Sequence, residues 1–245
     1  MFLHTSGLIL RETKYRDSDK ILTLLCGAEG KLTASARRVL QTKSKLGPAI
    51  QLFSFSEFVL FGNKGRWTIN EARTIEEFRG LRNDISSLAL AAYFADLLEL
   101  VSDEDIPNPN ILRLALNSFY ALSNKLYDRE LIKAVFELRL ASYAGYMPDF
   151  TGCSECGKED GKYFYFRPDL GDIVCQNCRG EYGIKIAHDV LSALRYIVSA
   201  GAKRIFSFKI SDEGLKQLSG ITENYVLICF ERQLKSLEYY RKIIK

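Results

Sequence analysis

Lys20-Ile21-Leu22-Thr23-Leu24-Leu25-Cys26, then Gly27-Ala28-Glu29-Gly30-Lys31, then Leu32-Thr33-Ala34-Ser35-Ala36-Arg37: the fold is decided in these residues. The outer parts are short runs rich in leucine and β-branched residues, and the centre is a glycine-bearing hairpin connection. Three similar runs surround them, Gly7–Leu10, Phe53–Phe61 and Arg66–Ala72. Gly62-Asn63-Lys64-Gly65 reads as a second hairpin and Gln41–Pro48 as a longer loop. Five short strands in this span predict a small closed barrel, because closure removes the free edges of an open sheet. An OB-type barrel is therefore expected over residues 1–80.

Past Phe78 the apolar period becomes helical. Leu81, Ile85, Leu88, Ala92 and Ala95 fall on one face, Asn110 is placed to cap a helix through Leu122, and Asp128 is placed to cap one carrying Leu131, Val135, Leu138 and Ala141. Farther on, Ile186, Val190, Leu194 and Ile197 mark another helix. Gly214–Leu218 reads as a short helix, and Ile221–Ile244 as one long helix or two. The fold class is α+β: a barrel over 1–80, then a helical domain over 81–245 interrupted by a cysteine-bearing insertion at about 149–183.

That insertion carries Cys153, Cys156, Cys175 and Cys178, two C-x-x-C knuckles in the spacing of a zinc ribbon. Four thiolates on two hairpins complete a closed tetrahedron of soft ligands around one Zn²⁺. A catalytic zinc keeps a position open for water or substrate, so one structural Zn²⁺ is expected here. Paired disulfides would need an oxidising compartment, and a redox C-x-x-C would need a thioredoxin-like βαβ context that the sequence lacks. Cys26 and Cys229 lie in apolar runs and read as reduced core residues.

The net charge of +4 is unevenly spread. Residues 1–80 hold thirteen Lys/Arg against eight Asp/Glu, residues 81–150 six against ten, and residues 151–245 fifteen against twelve. The basic excess at the N-terminal end fits a polyanion-binding surface. Arg37 and Arg38 end a strand that Lys31 begins, Lys43 and Lys45 lie in the loop after it, and Arg11, Lys14, Arg16 and Lys20 charge the neighbouring hairpin. Such a barrel end can track phosphates by counterion release, and aromatic faces can stack bases at about 1–3 kcal/mol each. An ordinary solvated barrel surface is the competing reading. Phe53, Phe55, Phe58 and Phe61 read as core, with Trp67 and Tyr15 undecided.

Little supports bond-making chemistry. His4 and His188 are the two histidines, and no G-x-S-x-G, H-E-x-x-H or P-loop sequence occurs. Without a P-loop, work on nucleic acid would run on binding free energy, so a protein that is not an enzyme is expected. Asp103, Glu104 and Asp105 read as a solvated loop. No basic leader with an apolar run opens the sequence, and Leu88–Val101 is broken by Asp96 and Glu99, so a cytoplasmic protein is expected.

Three segments carry a resemblance: Gly7-Leu8-Ile9-Leu10; Tyr15-Arg16-Asp17-Ser18-Asp19-Lys20-Ile21-Leu22-Thr23-Leu24-Leu25; and Glu29-Gly30-Lys31-Leu32-Thr33-Ala34-Ser35-Ala36-Arg37-Arg38. Together with Arg232-Gln233-Leu234-Lys235-Ser236-Leu237 and the order barrel, helices, Cys₄ ribbon, helices, they resemble the RecO family of bacterial recombination mediators. The resemblance implies an OB-fold protein that binds single- and double-stranded DNA and anneals complementary strands. It also implies partners: RecR, the C-terminal tail of single-strand-binding protein, and indirectly RecA, which the protein would help load at DNA gaps, near the nucleoid. It points to Arg37 first among the DNA contacts; Thr33 stands where a relative carries another basic residue. Two other classes compete: a zinc-ribbon adaptor of transcription or translation that binds protein or structured RNA, and a nuclease-like metalloenzyme, which the closed Cys₄ set disfavours.

Overall fold

The computed structural model describes residues 1–40 and 46–244. The chain divides into two compact units, Met1–Asn124 with Leu234–Lys245, and Lys125–Gln233. The helices are α1 (Ile85–Val101), α2 (Pro109–Ser123), α3 (Arg129–Tyr143), α4 (His188–Ser199), α5 (Asp212–Phe230) and α6 (Lys235–Ile243). Among the described residues no helix is long and apolar enough to cross a membrane.

The first unit opens with β1 (Phe2–Tyr15), β2 (Asp19–Cys26), β3 (Gly30–Ala36), β4 (Phe55–Asn63) and β5 (Arg66–Glu76). These close into a barrel in the order β1-β2-β3-β5-β4, with β4 paired back to β1 and only β3–β5 parallel. This is the five-stranded closure of an OB-fold. Alternation along each strand decides which side chains fill it. On β4, Ser56, Phe58 and Leu60 point inward and are buried, while Glu57 and Phe61 face out. Ile9, Leu22, Leu24, Leu32 and Ile69 join Phe58 and Leu60 in the core, and Cys26 sits among them with its thiol pushed up to about 12 by burial. Of the four phenylalanines expected inside, Phe53 and Phe58 are buried and Phe55 is half-buried. Phe61 is exposed, its ring 5.3 Å from that of Phe2 across the strand pair.

One edge of the barrel needs help from outside it. β3 meets β5 only at Ala34–Trp67 and Ser35–Thr68, so the backbone at Gly30 and Lys31 lacks a strand partner on that side. The segment after α1 supplies one: the Lys31 N–H donates to the Asp103 carbonyl at 3.0 Å, and Glu104 bridges Gly30 and Lys31. So close an approach requires glycine at position 30, where φ is +70° and a Cβ would lie 2.5 Å from the Ile106 carbonyl oxygen. The backbone at Asp103 and Glu104 thus docks on the barrel, recruited by unpaired strand backbone, while Asp103, Glu104 and Asp105 stay exposed, as the solvated-loop reading expects.

The same unit holds α1, α2 and α6. Asp84 caps α1 through the Ser86 N–H, and Asn108, two residues before the expected Asn110, caps α2 through the Ile111 N–H. α1 is more deeply embedded than its expected stripe. Ile85 is exposed, whereas Leu90, Tyr93, Phe94, Leu97 and Leu98 are fully buried, because α2, α6 and β1 all pack on it.

In the second unit α3 packs on α4 and α5. Asp128 caps α3 as expected. α5 runs unbroken through Gly220, joining what the sequence split into two helices, since tertiary packing outweighs the roughly 1 kcal/mol propensity cost of one glycine. Between α3 and α5 lies a buried polar network. The Lys133 ammonium, 1% exposed, sits 3.1 Å from Glu137 and 2.8 Å from Glu223, and the Thr222 hydroxyl donates to Glu137. Burial opposes the Lys133 charge, but these carboxylates outweigh it and hold its pKa above the usual lysine value. Between α3 and α4 a four-stranded sheet, β6 (Asp149–Cys153), β7 (Phe164–Arg167), β8 (Asp172–Cys175) and β9 (Ile184–Ile186), takes the order β6-β8-β7-β9.

Candidate nucleic-acid interface and metal centre

The cations expected to meet DNA separate into groups once the barrel is formed. Asp19 accepts a hydrogen bond from the Arg38 N–H at 2.8 Å, and the Ser18 carbonyl accepts one from the Leu40 N–H at 3.1 Å. These bonds stitch the turn after β3 to the turn between β1 and β2. Arg16, Arg37 and Arg38 therefore share one end of the barrel, all exposed, with Lys14 on the adjoining strand. None of these four forms an ion pair with a described residue. Arg16 and Arg38 both hold a left-handed backbone, φ 55°, which is uncommon outside glycine, asparagine and aspartate. The Arg16 guanidinium lies 5.1 Å over the exposed ring of Tyr15, setting a cation and an aromatic face side by side.

Arg11 and Lys31 go elsewhere. Arg11 grips Glu99 on α1 with Nε–Oε1 and Nη2–Oε2 both at 2.8 Å, and Lys31 Nζ donates to the Glu99 carbonyl at 2.9 Å. Both cations complement the C-terminal end of α1, which has no basic residue in its last turn. Lys31 and Arg37 lie at opposite ends of β3, roughly 20 Å apart at about 3.3 Å per residue. Lys20 is tied to Glu12 at 2.8 Å. Lys43 and Lys45 lie outside the described residues. Trp67 is half-buried against the barrel core and covers Gly62, where a Cβ would lie 2.7 Å from its ring.

In the second unit the ligand atoms of Cys153, Cys156, Cys175 and Cys178 lie within 4.8 Å of one another. The Cys156 and Cys175 sulfurs are 3.8 Å apart. Four sulfurs at about 2.3 Å from one tetrahedral Zn²⁺ would be separated by about 3.8 Å, so the spacing suits that ion. Each knuckle is a tight turn: Gly157 N–H donates to the Cys153 carbonyl at 2.8 Å and Cys178 N–H to the Cys175 carbonyl at 3.1 Å. Burial resists ionisation of Cys153, but backbone hydrogen bonds at Cys175, Cys156 and Glu155 prevail and bring it down to about 6. The Cys175 thiol is lowered too, chiefly by a backbone hydrogen bond at Cys178. Cys178, hydrogen-bonded to the Cys156 and Cys175 sulfurs, is pushed up to about 12. Thiolates crowded this closely demand a cation among them, and the residues present fit a metal ion.

Arg167 braces the knuckles. It grips both Asp172 oxygens, Nε at 2.7 Å and Nη2 at 2.6 Å, and reaches Glu155 at 3.1 Å and the Ser154 hydroxyl at 2.8 Å. The β7–β8 hairpin is thereby tied to the first knuckle. From α4, Arg195 donates to the carbonyls of Phe150, Thr151 and Glu159. The Arg195 brace is not signalled by local sequence, since its partners are brought close only by the fold, whereas Asp172 faces Arg167 directly across the β7–β8 hairpin.

Family models match both parts of the chain, "Recombination protein O N terminal" over residues 1–78 and "Recombination protein O C terminal" over residues 82–238. The chain belongs to the Recombination protein O family. It is 33% identical to "DNA repair protein RecO" of Acetivibrio thermocellus over 244 residues, covering 99% of this chain and 97% of that relative. The protein of the same name from Alkaliphilus metalliredigens is 30% identical over 246 residues, 99% of this chain and 100% of the relative. That of Dehalococcoides mccartyi strain CBDB1 is 32% identical over 235 residues, 95% and 92%. The two family models meet where the barrel ends, whereas the compact units part between Asn124 and Lys125 and again before Leu234.

Proposed function

We propose that this chain is a DNA repair and homologous-recombination mediator that works by binding alone. The observation that carries the reading is the barrel end where Arg16, Arg37, Arg38 and Lys14 stand together without a carboxylate partner among the described residues, beside the exposed ring of Tyr15. Cations so placed neutralise phosphates and release condensed counterions. Two DNA strands drawn to one such surface repel each other less, and base pairing then drives annealing. Exposed Tyr15 suits the face of an unpaired base, while duplex DNA meets the same cations through its backbone.

In this reading residues 1–80 form the DNA-binding module and 81–245 the helical module, interrupted at about 149–183 by the ribbon. Single- and double-stranded DNA are the ligands. RecR, the tail of single-strand-binding protein and, indirectly, RecA are the partners through which binding leads to RecA loading in the cytoplasm, at the nucleoid. One Zn²⁺ held by Cys153, Cys156, Cys175 and Cys178 supplies cross-linking of the two knuckles. The protein itself carries out no bond-making step.

Arg11 and Lys31 have a second duty in this reading, since both are engaged by α1, so the contact set centres on Arg16, Arg37 and Arg38. The test is fluorescence anisotropy with labelled single-stranded DNA, duplex DNA and structured RNA at several salt concentrations, with annealing followed in parallel. Arg37→Glu with Arg38→Glu is expected to abolish annealing and flatten the salt dependence, and ATP is expected to change nothing. Parental binding and annealing in that variant, or tighter binding to structured RNA than to DNA, would overturn the reading.

A further inference from the structure

We infer that the outer face of the ribbon sheet, across β7 and β9, is a second binding surface for single-stranded nucleic acid. The inference rests on the DNA-binding reading above and extends it to a part of the molecule with its own cations. Tyr163 and Tyr165, two residues apart, project to the same side, about 7 Å from each other. Phe164 and Phe166 project to the other side and are buried, Phe166 against Phe150 and Tyr225. Tyr165 is buried as well, covered by the Arg179 guanidinium, so what the outer side presents to solvent is the half-buried Tyr163 and the cations around it.

Three cations collect on the solvent face. Lys185 stands directly opposite Tyr165 in the β7–β9 pair, and its ammonium lies 3.7 Å from the centroid of the Tyr163 ring. The Lys162 ammonium approaches that ring too, at 5.5 Å, and the Arg179 guanidinium lies 4.2 Å over Tyr165. All three cations are exposed, and none forms an ion pair with a described residue. Arg167 of the same sheet shows the contrast, being held by Asp172 and Glu155. An arginine with a structural duty is paired, and the cations with no such duty are left open.

Two ammonium groups gathered at one ring raise the local positive potential, which an approaching anion lowers. The cations follow the strand in a row, which matches a chain of phosphates better than one small anion. Tyr182 stands exposed in the approach to β9 and offers a face to an unpaired base, while Tyr163, half-buried, holds the lysines in place. Arg179 follows the second knuckle directly, so the metal centre would fix its position.

The test uses the full-length, metal-loaded protein and fluorescein-labelled oligothymidylate, with affinity measured over a series of NaCl concentrations. Each lost contact to a single strand lowers the slope of log affinity against log salt by about 0.7, so Lys162→Gln with Arg179→Gln and Lys185→Gln should flatten it by about 2. Lys162→Arg with Lys185→Arg should behave as the parent. If the triple variant loses metal, Lys162→Gln with Lys185→Gln decides, with an expected drop of about 1.4. A parental slope in the glutamine variants, while Arg37→Gln with Arg38→Gly weakens binding, overturns the ribbon surface and leaves the barrel reading standing. Parental binding in both sets overturns both. Loss of binding to anionic phospholipid vesicles with an unchanged oligothymidylate slope also overturns the inference, assigning the face to a membrane surface.

Discussion

The barrel and the ribbon are both small β structures, yet they are held by different physics. The barrel closes on itself and fills its interior with Ile9, Leu22, Leu24, Phe58 and Leu60, so hydrophobic burial and a complete ring of strand pairs carry it. The ribbon has four strands of three to five residues and four sulfurs gathered within 4.8 Å of one another. So short a sheet has little core, and the metal has to supply what burial does not. The two regions should therefore fail under different insults.

Chelation should show the largest difference. Structural zinc modules draw on the order of 10–16 kcal/mol from the metal, so a strong chelator should unfold the ribbon while the barrel persists. Limited proteolysis should then cut between Asp149 and Ile186 and spare residues 1–80; simultaneous loss of both would break the comparison. Phe58→Ala should act the other way, costing about 3–5 kcal/mol in the barrel with one equivalent of metal retained. Thermal unfolding and elemental analysis of the same sample check both halves. Asp172→Asn should be the mildest, weakening the Arg167 brace by about 1 kcal/mol and making metal about fivefold easier to extract, with no change in the barrel. Metal titration against a competing chelator measures it.

What the sequence disclosed follows the same divide. The barrel strands were legible because alternation and glycine hairpins are local signals, and the cysteine spacing is local within each knuckle. Other features depend on residues far away in the chain. Arg11 and Lys31 meet Glu99 across 88 and 68 residues, so their engagement cannot be read from their neighbours. β9 has only three residues, too few to show a period, and with it Lys185 was missed. The docking of Asp103–Glu104 answers a vacancy in β3 that exists only after the barrel has closed. Position 61 misled because a run of phenylalanines at 53, 55, 58 and 61 cannot all face inward on a strand of period two.

The return of α6 to the first unit carries a consequence for how the molecule is made. A ribosome must synthesise all of Lys125–Gln233 before it supplies the helix that packs on α1. Until then a nascent chain holds a finished barrel beside an α1 with part of its apolar surface uncovered, an invitation to chaperones or proteases. Completion of the first unit therefore waits on translation through the second.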